Sequence, residues 1–139
     1  MNSVYRGVKT VVLQKFNPVD FLKTIQDFKI KSLNLVPPQI LMLIKAPIVD
    51  QYDISSVRFV MCAAAPCSRE LSLAFTKKFY KIKFRQGYGM SELSPASLTG
   101  LYNKIVHGSV GVVMPNQEVR LVDPDTGKDA ATGNRGEIW

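Results

Sequence analysis

The chain has 139 residues, 46% of them hydrophobic and 21% charged, with a formal net charge of +7. This composition excludes a predominantly disordered protein, and the length suits one core rather than two independent domains. No apolar run, Ile40 to Ile44 before Lys45 among them, approaches the ~20 residues that span a bilayer.

Thr10, Val11, Val12 and Leu13 form a β-branched apolar run that predicts a buried strand within Lys9 to Phe16. A helix is predicted directly after it. Asn17 can cap it, Pro18 suits its first turn, Asp20 suits its positive end, and Phe21, Leu22, Ile25 and Phe28 share one face. Leu33 to Val36 reads as a strand stopped by Pro37 and Pro38, and Gln39 to Lys45 as a short buried helix. Val57 to Ala63 is the next apolar strand. Ala64, Ala65 and Pro66 make a small-residue turn, and Ser68 caps a helix over Arg69 to Tyr80 with Leu71, Phe75 and Phe79 inward. The recurring phenylalanines, Phe21, Phe28, Phe75 and Phe79, are read as core packing.

Lys83 to Gln86 is predicted as another strand, broken by Gly87. Strands alternating with helices argue for α/β architecture, a mostly parallel sheet with flanking helices on both faces. Beyond Gly100 the helical pattern stops. Glu118 to Val122 and Glu137 to Trp139 are strand-like, and Asp123-Pro124-Asp125-Thr126-Gly127 is a turn in which Pro presets φ and Gly supplies a positive one. Residues 1–104 are therefore read as an α/β part and 105–139 as the beginning of an antiparallel β subdomain. Its last residues, Gly136 to Trp139, are read as ending in mid-strand without a partner.

The charge is lopsided: residues 1–85 hold 14 Lys and Arg against 5 Asp and Glu, and residues 86–139 hold 4 against 6. Only Lys77, Lys78, Lys81, Lys83 and Arg85 cluster, without interleaved aromatics of an RNA-binding signature, so a solvated face is favoured over nucleic-acid binding. Across Met1 to Lys15 no basic start, apolar middle and cleavage site occur in that order, so no signal peptide is legible and an intracellular, non-secreted protein is expected. Cys62 and Cys67 lack metal-ligand spacing and are read as reduced thiols, Cys67 as inert rather than reactive. His107 lies in a Gly/Ser loop and is read as a surface residue rather than a catalytic one.

Arg85-Gln86-Gly87-Tyr88-Gly89-Met90-Ser91-Glu92-Leu93-Ser94-Pro95 comes directly after a predicted parallel strand, where α/β proteins open a ligand crevice. Gly87 and Gly89 allow close approach to the main chain, Tyr88 offers a flat face to a base, and Ser91 and Glu92 supply a hydroxyl for a phosphoryl oxygen and a carboxylate for Mg²⁺. The same residues also suit an ordinary loop, with Glu92 as a helix N-terminal acid.

This stretch resembles the Tyr-Gly-Met-Thr-Glu motif of the acyl-adenylate-forming, or AMP-binding, superfamily, which includes coumarate-CoA ligase, other acyl-CoA synthetases, luciferases and peptide-synthetase adenylation domains. Cys62-Ala63-Ala64-Ala65-Pro66-Cys67-Ser68-Arg69-Glu70-Leu71 is similar to the family's Ser-Gly-Ala-Ala-Pro-Leu-Ser-x-Glu-Leu. Gly108-Ser109-Val110-Gly111, Pro115-Asn116, Val122-Asp123-Pro124, Gly127 and Gly136-Glu137-Ile138 resemble the family's next stretch. Lys15-Phe16-Asn17-Pro18 and Val36-Pro37-Pro38 fit the coumarate-CoA ligase branch, so the resemblance covers essentially the whole chain.

The resemblance implies ATP-dependent activation of a carboxylic acid as acyl-AMP, with transfer to a thiol, usually coenzyme A. It places Ala64, Ala65, Pro66, Gln86, Gly87, Tyr88, Gly89 and Ser91 at the nucleotide, and Ala64, Gly87, Pro95 and Ala96 along the acyl pocket. Ser91 and Glu92 take the catalytic positions, Glu92 as the Mg²⁺ ligand. Ser91 stands for the usual Thr and keeps the hydroxyl; Cys62, Ala63 and Cys67 depart from Ser, Gly and Leu and alter the pocket's shape. The substrate class is an aromatic or fatty acid, and the compartment cytoplasmic or peroxisomal. The family's phosphate loop with its Lys, its ribose-binding Asp and its C-terminal domain with a catalytic Lys have no counterpart within these residues. The chain is thus read as a central piece of the large domain, Met1 as an internal methionine, and adenylation by the isolated chain as incomplete. The alternative is a non-catalytic remnant or binding module of the same fold.

Overall fold

The computed structural model describes residues 5, 7–101 and 104–139. Met1, read as an internal methionine, lies outside them. Helix α1 spans Pro18–Phe28, and the Asn17 side chain accepts from the Val19 and Asp20 backbone N–H groups, at 2.8 and 3.3 Å, with Pro18 in the first turn. Strand β1 is Ser32–Leu35 and helix α2 is Pro37–Lys45. Pro37 and Pro38 thus open α2 as well as ending the strand, because a first helical turn has no use for their missing N–H. The Gln39 side chain accepts from Val36 N–H at 3.0 Å.

A 3₁₀ turn over Pro47–Gln51 leads on to strand β2, Phe59–Cys62, which is followed by helix α3, Arg69–Lys78. Ser68 Oγ accepts from Leu71 N–H at 3.1 Å at the start of α3. Strand β3 is Lys83–Tyr88, β4 Leu98–Thr99, β5 Val112–Val113, β6 Leu121–Val122 and β7 Glu137–Ile138.

The main sheet has the order β1-β2-β3-β4-β5. The four-residue pairings β1–β2 and β2–β3 are parallel, and the two-residue pairings β3–β4 and β4–β5 are antiparallel. The parallel part is what the β-α-β-α-β order requires, since a parallel neighbour can be reached only by a crossover. Strands β6 and β7 form a separate antiparallel pair in which Leu121 faces Ile138.

One core holds the assembly together. Phe21, Leu22 and Ile25 of α1, Ile40 and Leu43 of α2 and Phe75 of α3 pack on Leu33, Leu35, Val60, Cys62 and Phe84 of the strands. The Phe75 and Phe84 rings are 5.3 Å apart. Lys78 Nζ donates to the Leu43 and Ile44 carbonyls, at 3.2 and 2.9 Å, and so joins α3 to the end of α2.

Several sequence expectations are corrected. Among the described residues the sheet is fully buried on one face: Leu33, Leu35, Val60, Cys62, Phe84 and Gln86 are buried, while on the other Ser32, Asn34 and Lys83 are exposed and Phe59, Met61 and Arg85 half-buried. The Arg85 guanidinium lies 5.0 Å from the centre of the Phe59 ring on that second face.

Lys9 to Phe16 forms no strand. It lines an open cleft of about 820 Å³ together with β1 and pairs with none of the strands, and Val12 is 82% exposed. Phe28 is 52% exposed because it lies at the end of α1, beyond Ile25, with Lys9 Nζ 5.0 Å above its ring. Helix α3 stops at Lys78, with Phe79 as its C-cap rather than a helical residue. Gly87 does not break β3: the strand runs through it to Tyr88, because Thr99 pairs with it from β4. Glu137 is not unpartnered but pairs with Val122.

Candidate active site

The parallel register sets Cys62 opposite Gln86 in the last rung of the β2–β3 pair. Beyond it β2 has ended, while β3 runs two residues further to Tyr88, paired with β4, so both following loops emerge at the same carboxyl end of the sheet, where a ligand can approach the backbone. Ala64, Ala65 and Pro66 are exposed after β2; Gln86 is buried, and Gly87 and Tyr88 are half-buried at the end of β3. Ala63 N–H donates to the Leu35 carbonyl at 3.1 Å, which fixes the root of the small-residue turn on β1. Ala64 then adopts φ of 68°, a left-handed conformation that disfavours a side chain by roughly 1–2 kcal/mol.

From Tyr88 the chain passes through Gly89 and Met90 into a single 3₁₀ turn, Ser91–Leu93, and returns by Ser94 to Ala96 into β4. Ser97 N–H donates to the Tyr88 carbonyl at 3.0 Å and Gly100 N–H to the Gln86 carbonyl at 2.9 Å, closing the loop at its base. Gly89 is required here: a Cβ would collide with the Pro95 carbonyl oxygen and crowd Ala96 Cα. Gly87 is less constrained, its added Cβ meeting the Leu98 carbonyl oxygen at 3.4 Å and Met61 Sδ at 3.5 Å. Ser91, Glu92 and Pro95 are exposed and Ala96 is half-buried. Glu92 is the acid in the first turn of this short 3₁₀ helix, not of an α-helix.

The loop is supported by residues outside the motif. Ser97, 5% exposed, accepts from Met114 N–H at 2.8 Å, and Gln117 Nε2 donates to the Ala96 carbonyl at 3.0 Å. The sequence signal for them is Pro115-Asn116, whose Asn takes a φ of 63° and turns the chain toward the loop.

His107 is more than a surface residue: it is half-buried, and its Nδ1 lies 2.6 Å from the hydroxyl of buried Ser72 on α3. Burial raises the Cys62 thiol to about 12, with the neighbouring Cys67 adding to it, and burial also raises Cys67. Both thiols are free and buried, in keeping with inert cysteines. Among the described residues no group of three or more His, Cys, Asp and Glu is clustered to hold a metal ion. A carboxylate beside a hydroxyl is the hard-oxygen set that Mg²⁺ shares with phosphates.

The AMP-binding enzyme family model matches residues 1–139. The chain is 40% identical over 139 residues to a probable 4-coumarate-CoA ligase 1 of Dictyostelium discoideum, covering 99% of this chain and 25% of that protein. It is 42% identical over 137 residues to 4-coumarate-CoA ligase 1 of Petroselinum crispum, covering 95% and 25% respectively. The chain thus spans about a quarter of the length of these relatives.

Among solved structures, an anthranilate CoA ligase in complex with anthranoyl-AMP superposes with a TM-score of 0.79 at 24% identity, over 86% of this chain and 23% of that one. A luciferase-like enzyme from the nonluminescent mealworm Zophobas morio superposes with a TM-score of 0.74 at 27% identity, over 90% and 31%. The family model matches the chain over its whole length: the chain belongs to the AMP-binding enzyme family.

Proposed function

We propose that the chain is a segment of an ATP-dependent acid-thiol ligase, which activates a carboxylic acid as acyl-AMP and passes the acyl group to coenzyme A. The observation that carries this reading is the alignment of the Ala64 to Pro66 turn with the Gln86 to Glu92 stretch at one end of neighbouring parallel strands. In this reading residues 1–104 supply the α/β frame and 105–139 the start of the β subdomain, with β5 joining the two.

The adenine lies between the Ala64-Ala65-Pro66 turn and Gln86, Gly87 and Gly89, stacked on Tyr88. The Ser91 hydroxyl donates to an α-phosphoryl oxygen, and Glu92 is the residue that holds Mg²⁺. A Mg²⁺ held there would supply Lewis-acid neutralisation of the negative charge that develops on the phosphoryl oxygens. Ala64, Gly87, Pro95 and Ala96 border the acyl pocket; small side chains there leave room for an aromatic or fatty acid.

In the first step a substrate carboxylate oxygen bonds to the α-phosphorus as the bond to pyrophosphate breaks. In the second, a thiolate bonds to the acyl carbon and AMP leaves. These residues orient the reactants and donate hydrogen bonds to charge; they do not themselves react.

The family's phosphate loop and catalytic lysine have no counterpart in residues 1–139, so the chain alone binds MgATP without completing adenylation. Calorimetric titration with MgATP, together with carboxylate-dependent ATP-pyrophosphate exchange, tests both parts. Binding without exchange is expected. Exchange abolished by Glu92→Ala would overturn the incompleteness, and absence of MgATP binding would favour the non-catalytic remnant.

A further inference from the structure

The opposite end of the sheet carries a second feature, independent of the nucleotide site. Residues 54–58 lead into β2 and residues 78–82 into β3, and between these two connections runs a groove of about 410 Å³. Ile54, Val57, Phe79 and Ile82 form its apolar floor, three of them half-buried and Val57 buried. Tyr80 stands on the rim with 78% of its surface exposed.

The groove's polar lining is one-signed. Arg58 and Lys81 are exposed on it, Lys78 lines it with its Nζ turned to the Leu43 and Ile44 carbonyls, and no Asp or Glu belongs to the lining. The acids nearby are already paired: Asp53 with Lys29 at 2.9 Å, and Asp50 with Lys78 at 3.8 Å. Lys81 Nζ lies 5.6 Å from the centre of the Tyr80 ring, so cation and aromatic form one edge.

An apolar floor with a cationic rim is complementary to an amphipathic acidic segment. Apolar anchors supply affinity by leaving water, while charge steers encounter and fixes orientation. We propose that this groove docks an acidic peptide segment of a partner protein, its Leu or Phe side chains seated on Phe79 and Ile82 and its carboxylates against Arg58 and Lys81. A nucleic acid is disfavoured because the floor is mainly aliphatic and offers no row of stacking rings, and a bilayer because the surface is concave.

Fluorescence anisotropy with the 139-residue chain tests the proposal. The probe is a fluorescein-labelled Glu-rich peptide carrying Leu and Phe anchors. It is compared with one bearing Lys for Glu, one bearing Ser for Leu and Phe, phosphatidylserine vesicles and an oligouridine. Saturable binding by the first probe alone is expected, with amide shifts confined to residues 54–58 and 78–82. The doubly substituted Arg58→Glu, Lys81→Glu chain, checked for unchanged circular dichroism, is expected to bind about tenfold more weakly. The peptide comparisons decide the matter on the unsubstituted chain should that variant misfold. No saturable binding of the acidic peptide, equal binding of the Ser or Lys peptide, or tighter binding of vesicles or oligouridine would each overturn it. So would amide shifts centred on residues 87–96, or a chain dimer that the double substitution dissociates.

Discussion

Cys62 and Gln86 face each other across the parallel β2–β3 pair, both buried, and from that rung the two loops that carry the family's motifs diverge. Cys62 precedes an exposed Ala-Ala-Pro turn; Gln86 precedes a strand end that continues into Ser91 and Glu92. The rung sets the spacing of the candidate site, and the loops beyond it are free to meet a ligand.

The Gly89→Ala substitution is predicted to destabilise the chain by about 1–3 kcal/mol, because the new methyl has no space against Pro95 and Ala96. Gly87→Ala should have a smaller effect, its Cβ meeting only contacts of 3.4 Å and longer. Urea denaturation of the two variants checks the order; equal stabilities would contradict the closeness of the return loop.

Removing the Ser72 hydroxyl is predicted to lower stability by ~1 kcal/mol, because it breaks the bond to His107 that holds the 104–111 loop on α3. Hydrogen exchange should speed up in that loop while α1 stays protected. Unchanged exchange would show that the contact does not hold the loop.

How much of the fold and site is legible in sequence depends on what stabilises each element. Helix α1 is legible because its signals are local: Asn17 caps, Pro18 starts, and Phe21, Leu22 and Ile25 repeat. Strands β4 and β5 are not, since two residues carry no period and they exist only because Gly87 and Tyr88 offer a free edge. Thr10 to Leu13 shows the converse: strong β propensity produces no strand, because propensity does not supply hydrogen-bonding partners. At the site, residue types and order are readable from motifs, but the support of Ala96 by Gln117 depends on contacts 21 residues apart in sequence.

Asp53 is held well below the usual carboxylate range by hydrogen bonds from Ser55 and Lys29. A depressed carboxyl stabilises the fold above its unfolded value near 3.9, and the contribution fades as pH falls through the folded value. Asp53→Asn should therefore lower stability at pH 7 and flatten the acid limb below about pH 4, modestly and less at high salt because the pair is exposed. Melting temperatures of both forms between pH 2 and 7 check this, and parallel acid limbs would contradict it.

Neither thiol should react readily with a disulfide reagent at pH 8 while the chain is folded, and both should react in urea, because Cys62 and Cys67 are buried and their acidities are suppressed by burial. Rapid labelling of Cys67 in the native chain would show that the turn before α3 opens.

The most direct test of the nucleotide site is calorimetric titration of MgATP into the 139-residue chain and its Glu92→Ala variant, with and without excess EDTA. The predicted result is Mg²⁺-dependent binding that the substitution weakens by roughly tenfold, without change in melting temperature, since Glu92 is exposed and supports no packing. Binding of equal strength in both chains, or binding indifferent to Mg²⁺, would contradict the role assigned to Glu92 and with it the proposed nucleotide site.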